Sequence, residues 1–273
     1  MITIGVTTYN RLYLLKTMAA SLYQSDISVP HNVRLYDDCS TEYSAEDLKK
    51  LFPTAVSIKV NKINMKADEN IIEMYKDFLK TDDDYFFNAD SDLIFSKNWL
   101  TRALELIERT SGVLTLLNAN LHGSYKDIDE DLCLKKTIGS AGTLFKRNRI
   151  EELINFMNPD KNKKSFDWQF SQFFVEMSVP IYCVKNSLVQ HIGYTGQNSH
   201  FFFDYGRNFA IESLAQGQII NDILENYIDQ IGRLEKKRID DTFYHLKRFI
   251  IIIFKKLLPT RLYHSIRHKL KKD

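Results

Sequence analysis

Short apolar segments alternate with helical patterns along the first half of the chain. Ile2–Thr7, Val33–Tyr36 and Val56–Val60 are short and apolar, as buried strands are, and Tyr85–Asp92 starts with an aromatic run that favours extended structure. Between these segments, apolar residues recur at three- and four-residue spacing, which predicts helices that each cover one face of a sheet. This alternation predicts an α/β fold with a mostly parallel central sheet flanked by helices.

The pattern is less regular in the middle of the chain. Gly112–Leu117 and Ile181–Val184 have the composition of strands, and Arg147–Met157 and Ser165–Met177 have helical spacing. The polar segment Asn118–Lys136 is long for a plain connection, so we expect a functional loop or lid there.

The C-terminal part of the chain is helical in pattern and differs in charge from the rest. We expect residues 1–203 to form the α/β domain and residues 204–273 a helical extension. Residues 246–273 carry nine Lys or Arg and one acidic residue, a net charge of +8, so residues 1–245 carry −6 within the overall +2. The apolar residues of this tail follow helical spacing, as shown by Leu246, Phe249, Ile250, Ile253, Phe254, Leu257 and Leu258.

A basic amphipathic tail has two interpretations. It suits the surface of an anionic membrane, where each Lys or Arg contributes about 1 kcal/mol. It also suits a helix that packs on its own domain or on a second subunit. The apolar run Phe249–Phe254 is too short to span a bilayer, which takes roughly 20 residues. We favour the membrane surface, because Ile251 and Ile252 widen the apolar face.

Composition places the chain among globular proteins and limits its partners. With 273 residues, 44% hydrophobic and 26% charged, the chain is long enough for one large domain with an appendage. Cys39, Cys133 and Cys183 are odd in number and far apart, which fits neither a disulfide framework nor a zinc site and favours a reducing cytosolic setting. The N-terminus has no signal-peptide pattern. The acidic body argues against nucleic-acid binding.

Acidic residues follow two of the predicted strands. Asp90 and Asp92 come where the aromatic strand stops, and Asp37 and Asp38 follow the second strand. Parallel strands end at the same edge of a sheet, where open α/β folds bind ligands. Hard cations such as Mg²⁺ are often held by one or two carboxylates together with substrate phosphates. An isolated Asp-x-Asp more often caps a turn, so a functional interpretation depends on the whole set of strand ends.

The end of the first strand adds further polar side chains. Thr7–Arg11 leads from this strand into a helix, and the ring of Tyr9 could stack on a base while Arg11 could pair with a phosphate. We expect Asn10 to cap the helix. The neighbouring side chains should line the same edge as the acidic residues.

Three segments in this order resemble a known family. Val6–Arg11 (VTTYNR), Asp37–Thr41 (DDCST) and Asn88–Asp92 (NADSD) are similar in order and spacing to family 2-type glycosyltransferases, which have the GT-A fold. The likeness covers roughly the first 200 residues. The chain departs from the commonest form of the family by having Thr8 where a Pro often stands and Glu42 where an Asp often stands.

The resemblance implies roles for these residues. The family transfers a sugar from a nucleoside diphosphate donor, commonly a UDP-sugar, to an acceptor hydroxyl or amine. By this resemblance, uridine would be contacted by Thr7, Tyr9 and Asp37 or Asp38. Asp90 would lie near the ribose, and Asp92 would ligate Mn²⁺ or Mg²⁺ at the diphosphate.

Asp167 is the candidate catalytic base. It lies in the first turn of a predicted helix, off the apolar face, where the positive end of the helix favours an ionised carboxylate. Such a carboxylate could remove the proton of an acceptor hydroxyl as the hydroxyl attacks the sugar carbon. Related transferases place an Asp or Glu here and invert the anomeric centre. An ordinary Asp that stabilises a helix N-terminus fits equally well. Trp168 beside it could stack on an acceptor sugar.

A late histidine segment completes the candidate site. Val189–Gly193 (VQHIG) resembles a segment of many GT-A enzymes in which a His completes the metal coordination or contacts the diphosphate. We favour His191 over His200, because His191 follows an apolar strand and precedes a glycine-containing turn. Imidazole suits Mn²⁺ better than Mg²⁺. The alternative is a structural histidine satisfied by local backbone.

These signals together predict an enzyme. We expect a metal-dependent, inverting transferase that moves a hexose or N-acetylhexosamine from a UDP-sugar to a glycan or lipid-linked acceptor. Its expected place is the cytoplasmic face of the cell membrane, in bacterial surface-polysaccharide synthesis. One alternative is a sugar nucleotidyltransferase, which usually carries a glycine-rich basic loop where this chain has Thr7–Arg11. Another is a non-catalytic domain that binds glycans or proteins, against which the presence of Asp90 and Asp92 argues.

Overall fold

The computed structural model describes residues 1–119, 123–157, 166–193, 206–210, 232–233 and 235–246, and for residues 166–168 it describes the backbone alone. The chain divides into two compact units, Met1–Asn226 and Tyr227–Asp273, and each is considered by itself. The domain boundary expected after residue 203 stays a prediction.

The described residues of the first unit form eleven strands and six helices. The strands are β1 (Ile2–Thr8), β2 (His31–Asp37), β3 (Ala55–Val60), β4 (Tyr85–Asp90), β5 (Leu93–Phe95), β6 (Val113–Thr115), β7 (Ser124–Asp127), β8 (Leu132–Lys135), β9 (Thr143–Lys146), β10 (Ile181–Val184) and β11 (Val189–His191). The helices are α1 (Leu12–Gln24), α2 (Ala45–Leu51), α3 (Lys66–Leu79), α4 (Trp99–Ile107), α5 (Arg147–Phe156) and α6 (Phe166–Glu176).

Nine of the strands form one sheet in the order β3-β2-β1-β4-β9-β6-β10-β8-β7. The first four strands in sequence pair in parallel, as the strand–helix alternation predicted. Strand β9 is antiparallel to β4 and to β6, and the hairpin β7–β8 forms the far edge, so the sheet as a whole is mixed. Strands β5 and β11 form a separate antiparallel pair. The predicted α/β class, with helices around a large central sheet, is confirmed.

Two apolar clusters cover opposite faces of the sheet. Because successive side chains of a strand point to opposite faces, the neighbours Phe86 and Phe87 of β4 fall into different clusters. The cluster with Phe87 contains side chains of α1, α2 and α4, and the cluster with Phe86 contains side chains of α3, α5 and α6. The helices that follow the strands therefore cover both faces and leave the strand ends for the site.

The functional loop or lid expected between Asn118 and Lys136 is largely a β-hairpin, so that prediction is wrong. Strand β8 is buried along its whole length because it pairs with β10. Strand β7 is the edge strand and is mostly exposed. A short, polar edge strand shows no apolar alternation, which is why the sequence pattern did not indicate it.

The tail, residues 246–273, lies almost entirely outside the described residues, so both of its interpretations stand as predictions. Residues 235–246 of the second unit are helical and exposed. Within the ranges described above, no helix is both long enough and apolar enough to cross a bilayer.

The contact between β1 and α3 leaves no room for a side chain at Gly5. An added Cβ would overlap Phe86 Cζ and lie 2.7 Å from Met74 Sδ. We therefore expect Gly5→Ala to reduce the free energy of unfolding by about 1–3 kcal/mol and to lower the melting temperature by several degrees. Gly232→Ala is the matched control, because nothing lies within 4 Å of a Cβ there. Unchanged thermal melting of the Gly5→Ala protein would contradict this packing.

Candidate active site

The carboxyl ends of β1, β2 and β4 meet at one edge of the sheet. Because β1 lies between the other two strands, its register places Thr8 beside Asp37 and Thr7 beside Asp90. Tyr9 and Arg11 follow directly and are half-buried at the same edge. The polar strand ends that the sequence suggested as one site therefore lie together.

The two acidic residues after β2 are buried and hold the loop that follows. Asp37 accepts hydrogen bonds from Thr8 Oγ1 at 2.8 Å and from Ser40 N at 2.9 Å. Asp38 Oδ1 accepts from Met65 N at 2.7 Å, which ties this loop to the start of α3. Both carboxylates thus shape the edge of the site, and a direct contact of either one with a nucleotide base stays a prediction.

Asn10 does not cap α1, so that prediction is wrong. Asn10 and Arg11 both have left-handed backbone, with φ of 50° and 55°, and Arg11 is the N-cap residue of the helix. Asn10 Oδ1 instead accepts from Thr41 N at 2.8 Å, while Glu42 Oε2 accepts from Leu12 N at 2.9 Å. Consecutive left-handed residues are unusual outside glycine and make a sharp turn at the sheet edge.

Asp90 is held by hydrogen bonds that the sequence analysis missed. Its Oδ1 accepts from Thr7 Oγ1 at 3.3 Å and from Asn88 Nδ2 at 3.2 Å. Tyr75 Oη in turn donates to Asn88 Oδ1 at 3.2 Å, and both Tyr75 and Asn88 are fully buried. The sequence did contain a signal for these bonds, because Asn88 stands in an apolar, aromatic strand and a buried amide requires polar partners.

Asp92 lies just beyond β4 and has a side chain that is only 3% exposed. Arg11 Nη1 lies 2.8 Å from its Oδ2, and His191 Nε2 lies 3.2 Å from its Oδ1. Arg11 Nη2 also donates to Ser91 Oγ at 3.3 Å. The antiparallel pairing of β5 and β11 brings His191 to this place, because it sits opposite Leu93. The two residues predicted as metal ligands are therefore neighbours.

The charges of these three groups set one another's pKa. Burial by itself would raise the pKa of Asp92, but the positive charges of His191 and Arg11 outweigh it and hold that pKa well below its usual value. Burial would lower the pKa of His191, yet the Asp92 carboxylate raises it. Asp92 also raises the pKa of Arg11. The arrangement is an ionised carboxylate between two groups that favour positive charge.

Gly193 packs against this cluster just after β11. A Cβ at this position would collide with Asp92 Oδ2 and would lie 3.2 Å from Arg11 Nη1. Ile192 N also donates to the backbone carbonyl of Asp92 at 2.8 Å. The backbone at Gly193 therefore closes one side of the carboxylate, and a larger residue there would displace the carboxylate or the guanidinium.

The donor atoms beside Asp92 fit a divalent cation. Asp92 Oδ1 is buried and has no hydrogen bond, although His191 Nε2 is 3.2 Å away. Two ligands at right angles around a cation, each at ~2.1 Å, lie about 3 Å apart, so the observed spacing suits two ligands of one ion. Among the described residues, no group of three or more His, Cys, Asp or Glu could hold a metal ion. Substrate phosphates and water would therefore have to complete the coordination.

The residues predicted on the acceptor side belong to the start of α6. Asp167 and Trp168 are the second and third residues of this helix, and their side chains are outside the described part of the chain, as is His200. Further along the helix, Phe170 and Phe173 are buried in the core. The helix is thus anchored to the sheet, and Asp167 stays a candidate.

Comparison with known proteins gave a match to the part of the chain that contains β1, β2 and β4. Residues 3–128, which include the strand ends described above, match a family model described as Glycosyl transferase family 2. Solved structures of S. aureus TarS have a similar fold. The structure of TarS 1–349 in complex with UDP-GlcNAc has a TM-score of 0.55 at 16% identity, covering 73% of this chain and 60% of that one. The complex of TarS 1–349 with UDP has a TM-score of 0.52 at 16% identity, covering 69% of this chain and 59% of that one.

A further TarS structure gives a TM-score of 0.53 at 16% identity over 69% of this chain. This chain spans only 36% of that longer protein. At such identity the likeness establishes the fold alone. A comparison with curated proteins gave no match.

Proposed function

Because residues 3–128 match the family model described as Glycosyl transferase family 2, we propose that the protein is a nucleotide-sugar-dependent glycosyltransferase. The observation that carries this proposal is the buried Asp92 Oδ1, which lies beside His191 Nε2 without a hydrogen bond at the ligand-binding edge of the sheet. S. aureus TarS, which has a similar fold, has been solved with UDP and with UDP-GlcNAc. These structures support a UDP-sugar as the donor.

The residues after β1 and β4 would bind the donor. Tyr9 would stack on the uracil ring, and Thr7 would lie beside it. Asp90 would accept a hydrogen bond from a ribose hydroxyl, and the Asn88 amide would keep its carboxylate in place. The Arg11 guanidinium would pair with the diphosphate. Asp37 and Asp38 would contact the base or hold the loop that surrounds it.

Asp92 and His191 would hold the cation, Mn²⁺ or Mg²⁺. When bound, the cation would offset the negative charge that builds on the leaving diphosphate. An imidazole ligand favours Mn²⁺ over Mg²⁺. Asp92 is prepared for this role because it is ionised and nearly inaccessible to solvent.

Asp167 would act as the general base. Its carboxylate would take the proton of the acceptor hydroxyl while the acceptor oxygen bonds to the anomeric carbon and the carbon–oxygen bond to the diphosphate breaks. Attack opposite the leaving group inverts the anomeric centre. The position of Asp167 in the first turn of α6 supports an ionised carboxylate there. Trp168 would stack on an acceptor sugar.

The transferred group would be a hexose or an N-acetylhexosamine, and the acceptor a glycan or a lipid-linked glycan in bacterial surface-polysaccharide synthesis. A sugar nucleotidyltransferase usually carries a glycine-rich basic loop where this chain has Thr7–Arg11. A non-catalytic binding domain would have no need of a buried carboxylate set against an imidazole. No feature of the described residues favours either alternative.

Donor binding is tested by thermal melting with a panel of UDP-sugars. A UDP-sugar at 100 times its Kd should stabilise the folded protein by about 2.7 kcal/mol in the presence of Mn²⁺. The same concentration should stabilise it much less in EDTA, because the proposed cation contributes to donor binding. Asp92→Asn should remove the Mn²⁺-dependent part, since it removes a charged ligand. Asp131→Asn is the matched control. It removes a carboxylate that pairs with Arg102 and Arg109 and is not part of the candidate site. The absence of a metal-dependent shift with any nucleotide sugar would contradict the proposed function.

The role of Asp167 is tested by separating donor binding from transfer. Asp167→Asn should bind UDP-sugar as the wild type does and lose transfer by roughly 100- to 10,000-fold, the usual contribution of a general base. Donor affinity is measured by calorimetry and transfer by release of UDP in the presence of acceptor. Glu176→Gln, at the other end of the same helix, is the control. Transfer at the wild-type rate would remove Asp167 from the mechanism.

The basic tail would hold the protein on the inner, cytoplasmic face of the cell membrane, where a lipid-linked acceptor is presented. The nine basic residues among residues 246–273 support this proposal. Removing residues 246–273 should abolish binding to anionic vesicles and leave transfer to a soluble acceptor unchanged. Neutral vesicles, which neither protein should bind, are the control. Equal binding of the full-length and shortened proteins to anionic vesicles would rule out this role.

A further inference from the structure

Arg11 forms an ion pair with Asp92, the carboxylate that would bind the cation in the proposed donor site. Its Nη1 lies 2.8 Å from Asp92 Oδ2, and its Nη2 donates to Ser91 Oγ at 3.3 Å. A buried carboxylate without a positive partner is strongly unfavourable, and the Asp92 side chain is 3% exposed. Arg11 therefore supplies a positive charge that this buried carboxylate requires, as a bound cation would.

Of the two partners, Arg11 is the one able to move. Its side chain is 31% exposed, against 3% for Asp92. Asp92 is enclosed by the backbone at Gly193, and its carbonyl accepts from Ile192 N at 2.8 Å. An exchange of partners at this carboxylate would therefore proceed by movement of the guanidinium, with the carboxylate staying in place beside His191.

Arg11 is also positioned to receive an anion. It is the N-cap residue of α1, and the positive end of a helix attracts negative charge. A diphosphate offers pairs of oxygens that the planar guanidinium can bind bidentately, as it can a carboxylate. A donor bound at this edge would thus give Arg11 a second partner within reach of the first.

We propose that Arg11 is an internal counter-ion that makes cation binding at Asp92 depend on the donor diphosphate. Without nucleotide, the guanidinium satisfies Asp92 and its charge opposes a second cation at Oδ1. With nucleotide, the diphosphate attracts the guanidinium and offsets its charge, so that Asp92 and His191 accept the cation. Arg11 is in this respect a positioning residue, and the inference rests on the proposed function. Nucleotide and cation should consequently bind with positive coupling.

The test measures Mn²⁺ binding to the full-length protein without nucleotide. The electron paramagnetic resonance signal of free Mn²⁺ reports how much of the ion remains unbound. Arg11→Gln should bind Mn²⁺ at least roughly fivefold more tightly than wild type, which is the lower end of typical coupling between sites. The same variant should bind UDP more weakly, and Mn²⁺ should raise its UDP affinity less than it raises that of the wild type. Arg11→Lys, which keeps the charge, should bind Mn²⁺ about as wild type does.

Matched controls separate this effect from general loss of charge or of folding. Arg102→Gln removes an arginine from its pair with Asp131 and should leave both affinities unchanged. In EDTA, Arg11→Gln should melt at a lower temperature than wild type, because Asp92 loses its positive partner. Adding Mn²⁺ should remove this difference in melting temperature. The double variant Arg11→Gln/Asp92→Asn should not respond to Mn²⁺.

The outcomes distinguish the two proposals. Binding of UDP and Mn²⁺ by the wild type, with Mn²⁺ affinity unchanged or weaker in Arg11→Gln, would overturn the role of Arg11 and leave the transferase proposal in place. Binding of UDP but of no Mn²⁺ by either protein would also overturn it, since Arg11 would have no cation to oppose. Failure of the wild type to bind any UDP-sugar would overturn the proposed function itself.

Discussion

The parallel pairing of β1 with β2 on one side and with β4 on the other is the constraint on which the candidate site depends. It brings the ends of three strands, at Thr8, Asp37 and Asp90, to one edge of the sheet and sets Thr7 beside Asp90. Gly5 leaves room on one face of β1 for the ring of Phe86 and the side chain of Met74 to pack against the backbone. The packing of the core and the geometry of the site are therefore set by the same strand.

Electrostatics at this edge follow from burial. Asp92 is ionised although it is nearly inaccessible, and this is possible because Arg11 and His191 stand against its two oxygens. Arg11 reaches the carboxylate from a turn in which it and Asn10 have left-handed backbone. Unusual backbone of this kind is typically maintained where the surrounding structure requires it. Here the turn is held by the loop after β2, so this loop and the Arg11–Asp92 pair are mechanically linked.

The predictions from the sequence were accurate where they used the periodicity of apolar residues and the polar residues at strand ends. Apolar runs and helical spacing indicated the parallel strands and their helices, and the acidic strand ends led to the right edge of the sheet. It failed where a contact distant in sequence replaced a local one. Asn10 has a typical capping position, yet it binds Thr41 N, and Glu42 satisfies Leu12 N. The polar hairpin β7–β8 was missed because an exposed edge strand has no alternating pattern.

The amino-acid sequence by itself determined the α/β class, the set of polar strand ends and a resemblance to one family, because these depend on local pattern and on short motifs. Only the tertiary structure showed that Arg11 and the predicted metal ligand His191 meet the same carboxylate, that of Asp92. Arg11 and His191 are 81 and 99 residues away from it in opposite directions, and no local rule relates them. The parallel register of β1 and the antiparallel pair β5–β11 place them there, and burial then makes their charges interdependent.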